Sequence, residues 1–239
     1  MPSFKQRSYE KELLDSYDIP FTDIQTNMLE LDSINAKLGG HAITIKGIRN
    51  LINVRKKSNT TIEIVEIGCG GGDNLRVIKN WADQNQATVH LTGIDINPDC
   101  IAFAKSKNTG IEFIQSDYKD FIFGQKPDII FSSLFCHHFT NDELMFMVKW
   151  MKQNSRLGFF INDLHRHPIA YYSIKILTGI FSKSYLVKND APLSVQRGFK
   201  RKDWEDIFVG AHITNFQCRW CWAFRWLVTC PNNESEHGI

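Results

Sequence analysis

Residues 62–74 read IEIVEIGCGGGDN: a β-branched run, then four glycines within five positions, then the start of a polar–apolar periodic segment. That succession leaves few folds open. A short run rich in Ile and Val is a strand that wants cover on both faces. Glycines at 68, 70, 71 and 72 allow left-handed backbone and let main chain approach a ligand without a Cβ in the way. The helix pattern over 73–83 then turns the chain back across the sheet.

The rhythm repeats. Strand patterns fall at residues 61–67, 88–94, 111–115, 127–132 and 157–161, and helix patterns at 73–83, 98–107 and 142–152. Strands alternating with helices predict βαβ units, right-handed crossovers and a doubly wound, mostly parallel α/β sheet. The end differs: a short helix at 202–209 precedes strands at 213–217 and 222–229, too close together for a crossover, so an antiparallel hairpin is expected. Along the last strand Trp220, Trp222, Phe224, Trp226 and Val228 share one face in this reading, as core and cover for the sheet edge. The expected fold class is a seven-stranded Rossmann-like sheet with an N-terminal helical cap. That cap, residues 1–58, carries helix patterns at 10–17, 23–37 and 41–55; the main domain covers 59–239, with a substrate-covering insertion at about 164–200.

Composition excludes several classes. Apolar residues make up 43% and charged residues 23%, the balance of a globular chain. A net charge of +2 argues against general attraction to nucleic acid, although residues 156–202 carry nine Lys/Arg against two Asp/Glu. That segment is either a solvated basic face or a receiving surface for an electron-rich acceptor. No run reaches a membrane span's length, and the first residues lack the apolar core of a secretory signal, so the expected place is the cytoplasm, without stable membrane insertion. Six cysteines show no scaffold spacing. Cys218 and Cys221 form a CxxC, but in a strand such residues point to opposite faces, so no metal site is expected.

In an open parallel sheet, ligands sit beyond the carboxyl ends of the strands at the switch in strand order. Asp95 ends the second strand, 27 residues after Gly68, where a carboxylate can accept from both hydroxyls of a ribose. This alone would serve a nicotinamide nucleotide. However, the glycines run GxGxG rather than GxGxxG, and Glu66 stands two residues before the first of them. That carboxylate repels a pyrophosphate and balances a cation.

VEIGCGGGDN, GIDINP, QSDYKD and PDIIFSSLFCHHF, in this order, resemble the class I S-adenosylmethionine-dependent methyltransferases over residues 61–163. The resemblance implies S-adenosylmethionine as cofactor, with S-adenosylhomocysteine as product. It places Glu66 near the methionyl part, Gly68, Gly70 and Gly72 beneath the cofactor, and Asp95 on the ribose. Ile96 then lies against the adenine, Asp117 at its amino group and Tyr118 beside the ring, with Ser133 and Leu134 along the methionyl portion. Where an NPPY motif would mark amino-group chemistry, this chain reads SSLF. The whole chain is also similar to a smaller bacterial group of methyltransferases with LDSINAKLGG, NDLHRHPIAYY and YLVKNDAPLSVQRGF, members of which are associated with polyketide or phenolic-lipid pathways.

Two histidine clusters follow the fourth and fifth strands at the ligand edge. His137 and His138 are one; Asp163, His165, Arg166 and His167 are the other. His165 is the first candidate for a general base, with Asp163 as partner of its ring, because imidazole titrates near neutrality. Tyr171, Tyr172 and other apolar residues of 168–187 form either a lid helix or plain core. Arg166, His167, Tyr171, Tyr172 and Arg197 are the candidate acceptor contacts. The expected function is O-methylation of a small phenolic, quinone-like or polyketide acceptor by a monomer or homodimer. The rivals are C-methylation of quinone type, a nicotinamide-dependent dehydrogenase, and a non-catalytic binding protein on the same fold.

Overall fold

A computed structural model of the protein describes residues 2–15, 19–52 and 61–232. Helices α1 (Phe21–Lys37) and α2 (Gly40–Ile52) precede the sheet. Then come β1 (Ile62–Ile67), α3 (Asp73–Gln84), β2 (Val89–Asp95), α4 (Pro98–Lys107), β3 (Glu112–Gln115), β4 (Ile129–Ser133), α5 (Asn141–Asn154) and β5 (Gly158–Leu164). The chain ends with α6 (Pro168–Phe181), α7 (Tyr185–Arg197), α8 (Arg201–Gly210), β6 (Gln217–Cys221) and β7 (Arg225–Pro231).

The seven strands lie in the order β3-β2-β1-β4-β5-β7-β6. β1 through β5 pair in parallel, and β7 runs antiparallel to both β5 and β6. This is the expected doubly wound sheet with its terminal hairpin. Strand order reverses between β1 and β4, so the crevice beyond their carboxyl ends is the natural ligand position. β4 is buried along its whole length, as strands sandwiched between helices must be.

One face of the sheet packs Ile64, Phe131 and Phe160 under α2, α3 and α4; the other packs Phe159 and Val228 under α5 and α8, with Trp204 wholly buried. Each such side chain contributes about 1.5–3 kcal/mol of burial free energy. Gly47 shows how closely α2 fits: a Cβ there would stand 2.5 Å from the Phe160 ring. Ile48 and Leu51 of α2 belong to the same core as β1, whereas α1 lies over the ligand edge. Among the described residues no helix is long and apolar enough to cross a membrane.

Two expectations need correction. The helix pattern at 10–17 is met, within the described residues, only by a single 3-10 turn at Leu13–Asp15, because the backbone there is held by a distant partner: Asp190 accepts from the N–H groups of Leu13 (2.8 Å) and Leu14 (3.0 Å). Residues 16–18 of that pattern, and 53–55 of the pattern at 41–55, lie outside the described residues. The hairpin is also shifted. Its strands are Gln217–Cys221 and Arg225–Pro231, so Trp222 and Phe224 lie in the turn, with Trp222 70% exposed, and do not share a strand face with Trp226. β7 is an interior strand, buried on both faces, which removes the alternation that an edge strand would show. Cys218 and Cys221 do diverge, each joining the core on a different face of the sheet.

Candidate active site

The glycine turn follows β1. Gly68 has φ +67°, and a Cβ on it would stand 2.2 Å from the Phe135 ring; Gly72, with φ +73°, caps α3 and lies against Phe113. Both positions require glycine. The turn is tied to the neighbouring strand by main-chain bonds from Gly68 N–H to Ile94 O (2.8 Å) and by Gly70 N–H donating to Asp95 Oδ2 (2.9 Å). Asp95 Oδ1 accepts from Asn97 N–H at 2.9 Å. Burial pushes the Asp95 carboxyl up, against the pull of those two amides. Beside it Ile96 is 67% exposed, an apolar shelf next to an acid.

A cavity of about 1120 Å³ opens here, floored by the turn and the end of β4. Glu66, Gly68, Gly70, Asp95, Ile96, Ser133, Leu134, His137 and His138 line it, whereas Gly72 does not. α1 roofs it through Ile24 and Met28, while Ile174 and Leu177 of α6 and Trp222 of the hairpin turn supply apolar walls. Polar ties fix the roof. Arg76 pairs with Asp32 of α1 at 2.6 Å, and Asp73 accepts from Asn35 (3.2 Å) and pairs with His41 (2.8 Å). At the other end Glu30 accepts from the Ser182 hydroxyl and from the N–H groups of Lys183 (2.8 Å) and Ser184 (3.2 Å).

Two ionisable side chains of opposite type at the wall keep buried polar atoms without hydrogen bonds. Glu66 is 1% exposed; its Oε1 accepts from Asn74 Nδ2 at 3.1 Å, and its Oε2 has no hydrogen bond. Burial, then Asp73, drive this carboxyl well above the usual range. Arg225 is 3% exposed with Nε and Nη1 unbonded, and burial brings its guanidinium down to about 10. Buried ionic groups left unsatisfied are costly and mark a place where a ligand completes the bonding. A carboxylate and a guanidinium at one cavity fit the ammonium and carboxylate of an amino acid, so the residues present suit the methionyl end of S-adenosylmethionine. Neither Arg225 nor Asn74 figured in the sequence reading; the signal for Arg225 was a lone cation in the apolar run CWAFRWLV.

A second cluster forms where the turn after β4 meets the end of β5. Asp163 is fully buried and accepts from His137 Nδ1 (2.8 Å) and His137 N–H (3.2 Å). Burial opposes its ionisation, but His137 holds its carboxyl below the ordinary range. His138 Nδ1 lies 3.2 Å from Asp15 Oδ1, and against the opposing effect of burial this imidazole brings Asp15 down to about 2. Glu12, 5% exposed, approaches the Nε2 atoms of both rings, which lie 4.4 Å apart between centroids. Glu12 and Asp15 come from the N-terminal segment, which carried no local pattern for the role.

Other predicted residues lie elsewhere. Asp163 serves His137 rather than His165, because β4 and β5 pair Ser133 with Asn162 and so bring the residues after β4 beside Asp163. His165 is outside the cavity wall, and its Nδ1 accepts from the Trp220 indole at 3.2 Å. Tyr118 is core, edge-on to Trp150 at 5.1 Å, and Asp117 caps its own turn by accepting from Lys119 N–H at 3.0 Å. Arg166 and Arg197 are buried clamps. Arg166 donates to the carbonyls of Phe4 and Gly198, and Arg197 to those of His137, His138 and Glu10. His167 caps α6, Tyr171 is buried against Phe4, and Tyr172 faces outward, 47% exposed. None of these residues lines the cavity.

Known proteins agree with this geometry. The methyltransferase domain family matches residues 64–158. Over 70 residues the chain is 31% identical to trans-aconitate 2-methyltransferase of Acidovorax sp. (strain JS42); the match covers 29% of this chain, and the chain spans about a quarter (26%) of that relative's length. Among solved structures, the plantazolicin methyltransferase BpumL, in complex with a pentazolic desmethylPZN analogue and SAH, superposes with a TM-score of 0.55 at 20% identity, covering 86% of this chain and 70% of that one. Magnesium protoporphyrin IX methyltransferase from Synechocystis PCC 6803, with bound SAM, gives a TM-score of 0.50 at 12% identity, covering 83% of each chain. The sheet order, the glycine turn and these likenesses define a class I methyltransferase fold. Residues 64–158 of the chain match a methyltransferase domain, and the sheet around them has the fold of that class.

Proposed function

We propose that the protein transfers a methyl group from S-adenosylmethionine to an oxygen of a small phenolic, quinone-like or polyketide acceptor held in the same cavity. One observation supports this reading above others. Glu66 Oε2 and Arg225 Nε and Nη1, buried without hydrogen bonds, suit the amino-acid end of the cofactor, and a cluster of imidazoles and carboxylates lies at the β4 edge of the same cavity.

The bound cofactor supplies a methyl group already activated on a positively charged sulfur. The chain's own residues must hold, align and deprotonate. Glu66 Oε2 receives an ammonium and Arg225 a carboxylate. Asp95 has lone pairs left for the ribose hydroxyls after its two amide bonds, and Ile96 offers an apolar face to the adenine. Trp222, Ile174 and Leu177 take an aromatic or otherwise apolar acceptor. Glu12, His137 and His138 face the position of its hydroxyl. Alignment of the two reactants contributes on the order of 7–11 kcal/mol in such sites, and handling the hydroxyl proton about 10²–10⁴-fold in rate. The roof of α1 and the wall of α6 keep water away from the transfer.

The test is labelled methyl transfer from S-adenosylmethionine into a small-molecule extract, followed by mass spectrometry of the product. An O-methylated aromatic supports the reading. Label on ring carbon supports C-methylation instead, and S-adenosylhomocysteine binding without any labelled product supports a non-catalytic binder.

A further inference from the structure

We propose that Glu12, His137 and His138 form a binding site for one first-row divalent transition metal ion at the wall of the acceptor cavity. The geometry of the two rings carries the inference. Each imidazole has its Nδ1 anchored on a carboxylate, His137 on Asp163 at 2.8 Å and His138 on Asp15 at 3.2 Å. Both Nε2 atoms are thereby aimed at a single carboxylate. His137 Nε2 stands 3.6 Å from Glu12 Oε1, and His138 Nε2 3.8 Å from Glu12 Oε2.

These separations are too long for hydrogen bonds. They are close to the edge of a coordination polyhedron, since metal–ligand bonds of about 2.0–2.2 Å set neighbouring donors roughly 3–3.5 Å apart. The donor atoms of the three residues all lie within 4.8 Å of one another. A carboxylate behind each ligating imidazole is the usual means of fixing its tautomer and raising its basicity. Glu12 Oε1 is held further by the Ser194 hydroxyl at 2.7 Å.

The local charge permits a cation. Arg197 Nε approaches Glu12 Oε1 at 3.9 Å, but its nitrogens donate to main-chain carbonyls and to Asp15, and Arg7 likewise donates to the carbonyls of His137, Phe139 and Arg197. Glu12, Asp15 and Asp163 outnumber these two guanidiniums. Two imidazoles and one carboxylate favour zinc, iron, cobalt or manganese over magnesium or calcium. Three protein donors also leave a coordination position free. All three residues line the cavity, so that position is open to an acceptor oxygen. The role of the open position rests on the methyltransferase reading; the metal site does not.

A second three-residue group of this kind among the described residues, Asp32, His41 and Asp73, differs. His41 bonds Asp73 directly at 2.8 Å, and Asp32 is taken by Arg76 at 2.6 Å, so that network is closed without an ion.

The experiment is a Co²⁺ titration of the full chain after chelator treatment, read by visible d–d absorption, with S-adenosylhomocysteine binding measured on the same samples. The expected result is about one Co²⁺ per chain, displaced by Zn²⁺. Glu12→Gln and His138→Ala should weaken Co²⁺ binding at least about 100-fold, and Asp163→Asn by about 10–100-fold. His90→Ala, an exposed histidine paired with Glu63, should bind as the natural chain does. Absence of bound Co²⁺, or unchanged affinity in both Glu12→Gln and His138→Ala, overturns the site. Should those variants fail to fold, X-ray absorption of the Zn²⁺-loaded natural chain decides: two imidazoles bound to the metal support the site, and any other number overturns it. Retained S-adenosylhomocysteine binding with no metal removes this inference alone; retained metal with no S-adenosylhomocysteine binding removes the cofactor reading alone.

Discussion

Asp163 Oδ1 lies 2.8 Å from His137 Nδ1, and Asp163 Oδ2 accepts from the main-chain N–H of the same residue, so one buried carboxylate fixes both the ring and the backbone that carries it. Asp163 also accepts from the N–H of Leu164 at 2.7 Å. Replacing it with Ala strands all three donors in a site with no exposure, at a cost of about 3–5 kcal/mol. Asp163→Asn keeps the acceptor oxygen and should lose less. Denaturant unfolding of the two variants checks the order; equal losses would show that the bonds to His137 do not hold this corner.

Gly68→Ala should destabilise the chain and abolish cofactor binding together. The left-handed backbone at φ +67° disfavours a side chain by about 1–2 kcal/mol, and the added carbon would overlap the Phe135 ring at 2.2 Å. Gly124, where an added Cβ meets nothing within 4 Å, is the control and should tolerate Ala. Thermal unfolding with and without S-adenosylhomocysteine separates the two effects.

Glu66→Gln should leave the empty chain within about 1 kcal/mol of its stability, because the buried carboxylate gains little there by ionising. It should weaken S-adenosylmethionine binding at least tenfold, about 1.4 kcal/mol. The sign of the proton linkage follows from the raised pKa of Glu66 in the empty cavity. A cationic ligand lowers it again, so binding releases a proton at pH values below the raised pKa, and affinity rises with pH through that range. Calorimetry in two buffers of different ionisation enthalpy reads the proton directly; no buffer dependence would contradict the assignment.

His165 should mark the acid side of the stability profile. Burial first, then His167, Arg166 and Lys200, lower its pKa from 6.5 to about 4. Folding therefore favours the neutral ring. Its contribution is complete above pH 6.5 and is lost as pH falls from 6.5 towards 4. Denaturation midpoints for the natural chain and His165→Gln should converge over that window, and parallel profiles would show that His165 does not titrate as described.

The parallel part of the fold was legible because its strands are short runs rich in β-branched and aromatic residues alternating with helix patterns, and its first turn has a glycine at each left-handed position. The position of Glu66, Asp95 and Ser133 on the cavity wall was legible because each lies at or next to the end of a strand, and strand ends at a switch point converge. Long-range partners were not legible. Asp163 stands two residues from His165 in the chain, but the register of β4 with β5 gives it to His137. Arg166 and Arg197 carry the charge of ligand-binding residues, yet carbonyls from distant segments use their donors. The hairpin slipped because the alternation of aromatics runs unbroken from Trp220 to Trp226, with no Gly, Pro or Asn to mark the turn at Trp222. Glu12 and Asp15 join the site through long-range contacts with α7, His137 and His138, which no local periodicity announces.

The most direct measurement is calorimetric titration of the full chain with S-adenosylhomocysteine, repeated on Arg225→Met. The account predicts about one ligand per chain, with affinity reduced at least tenfold once the guanidinium is removed. Absence of binding by the natural chain, or equal binding by the variant, would contradict the claim that Glu66 and Arg225 hold the amino-acid end of the cofactor.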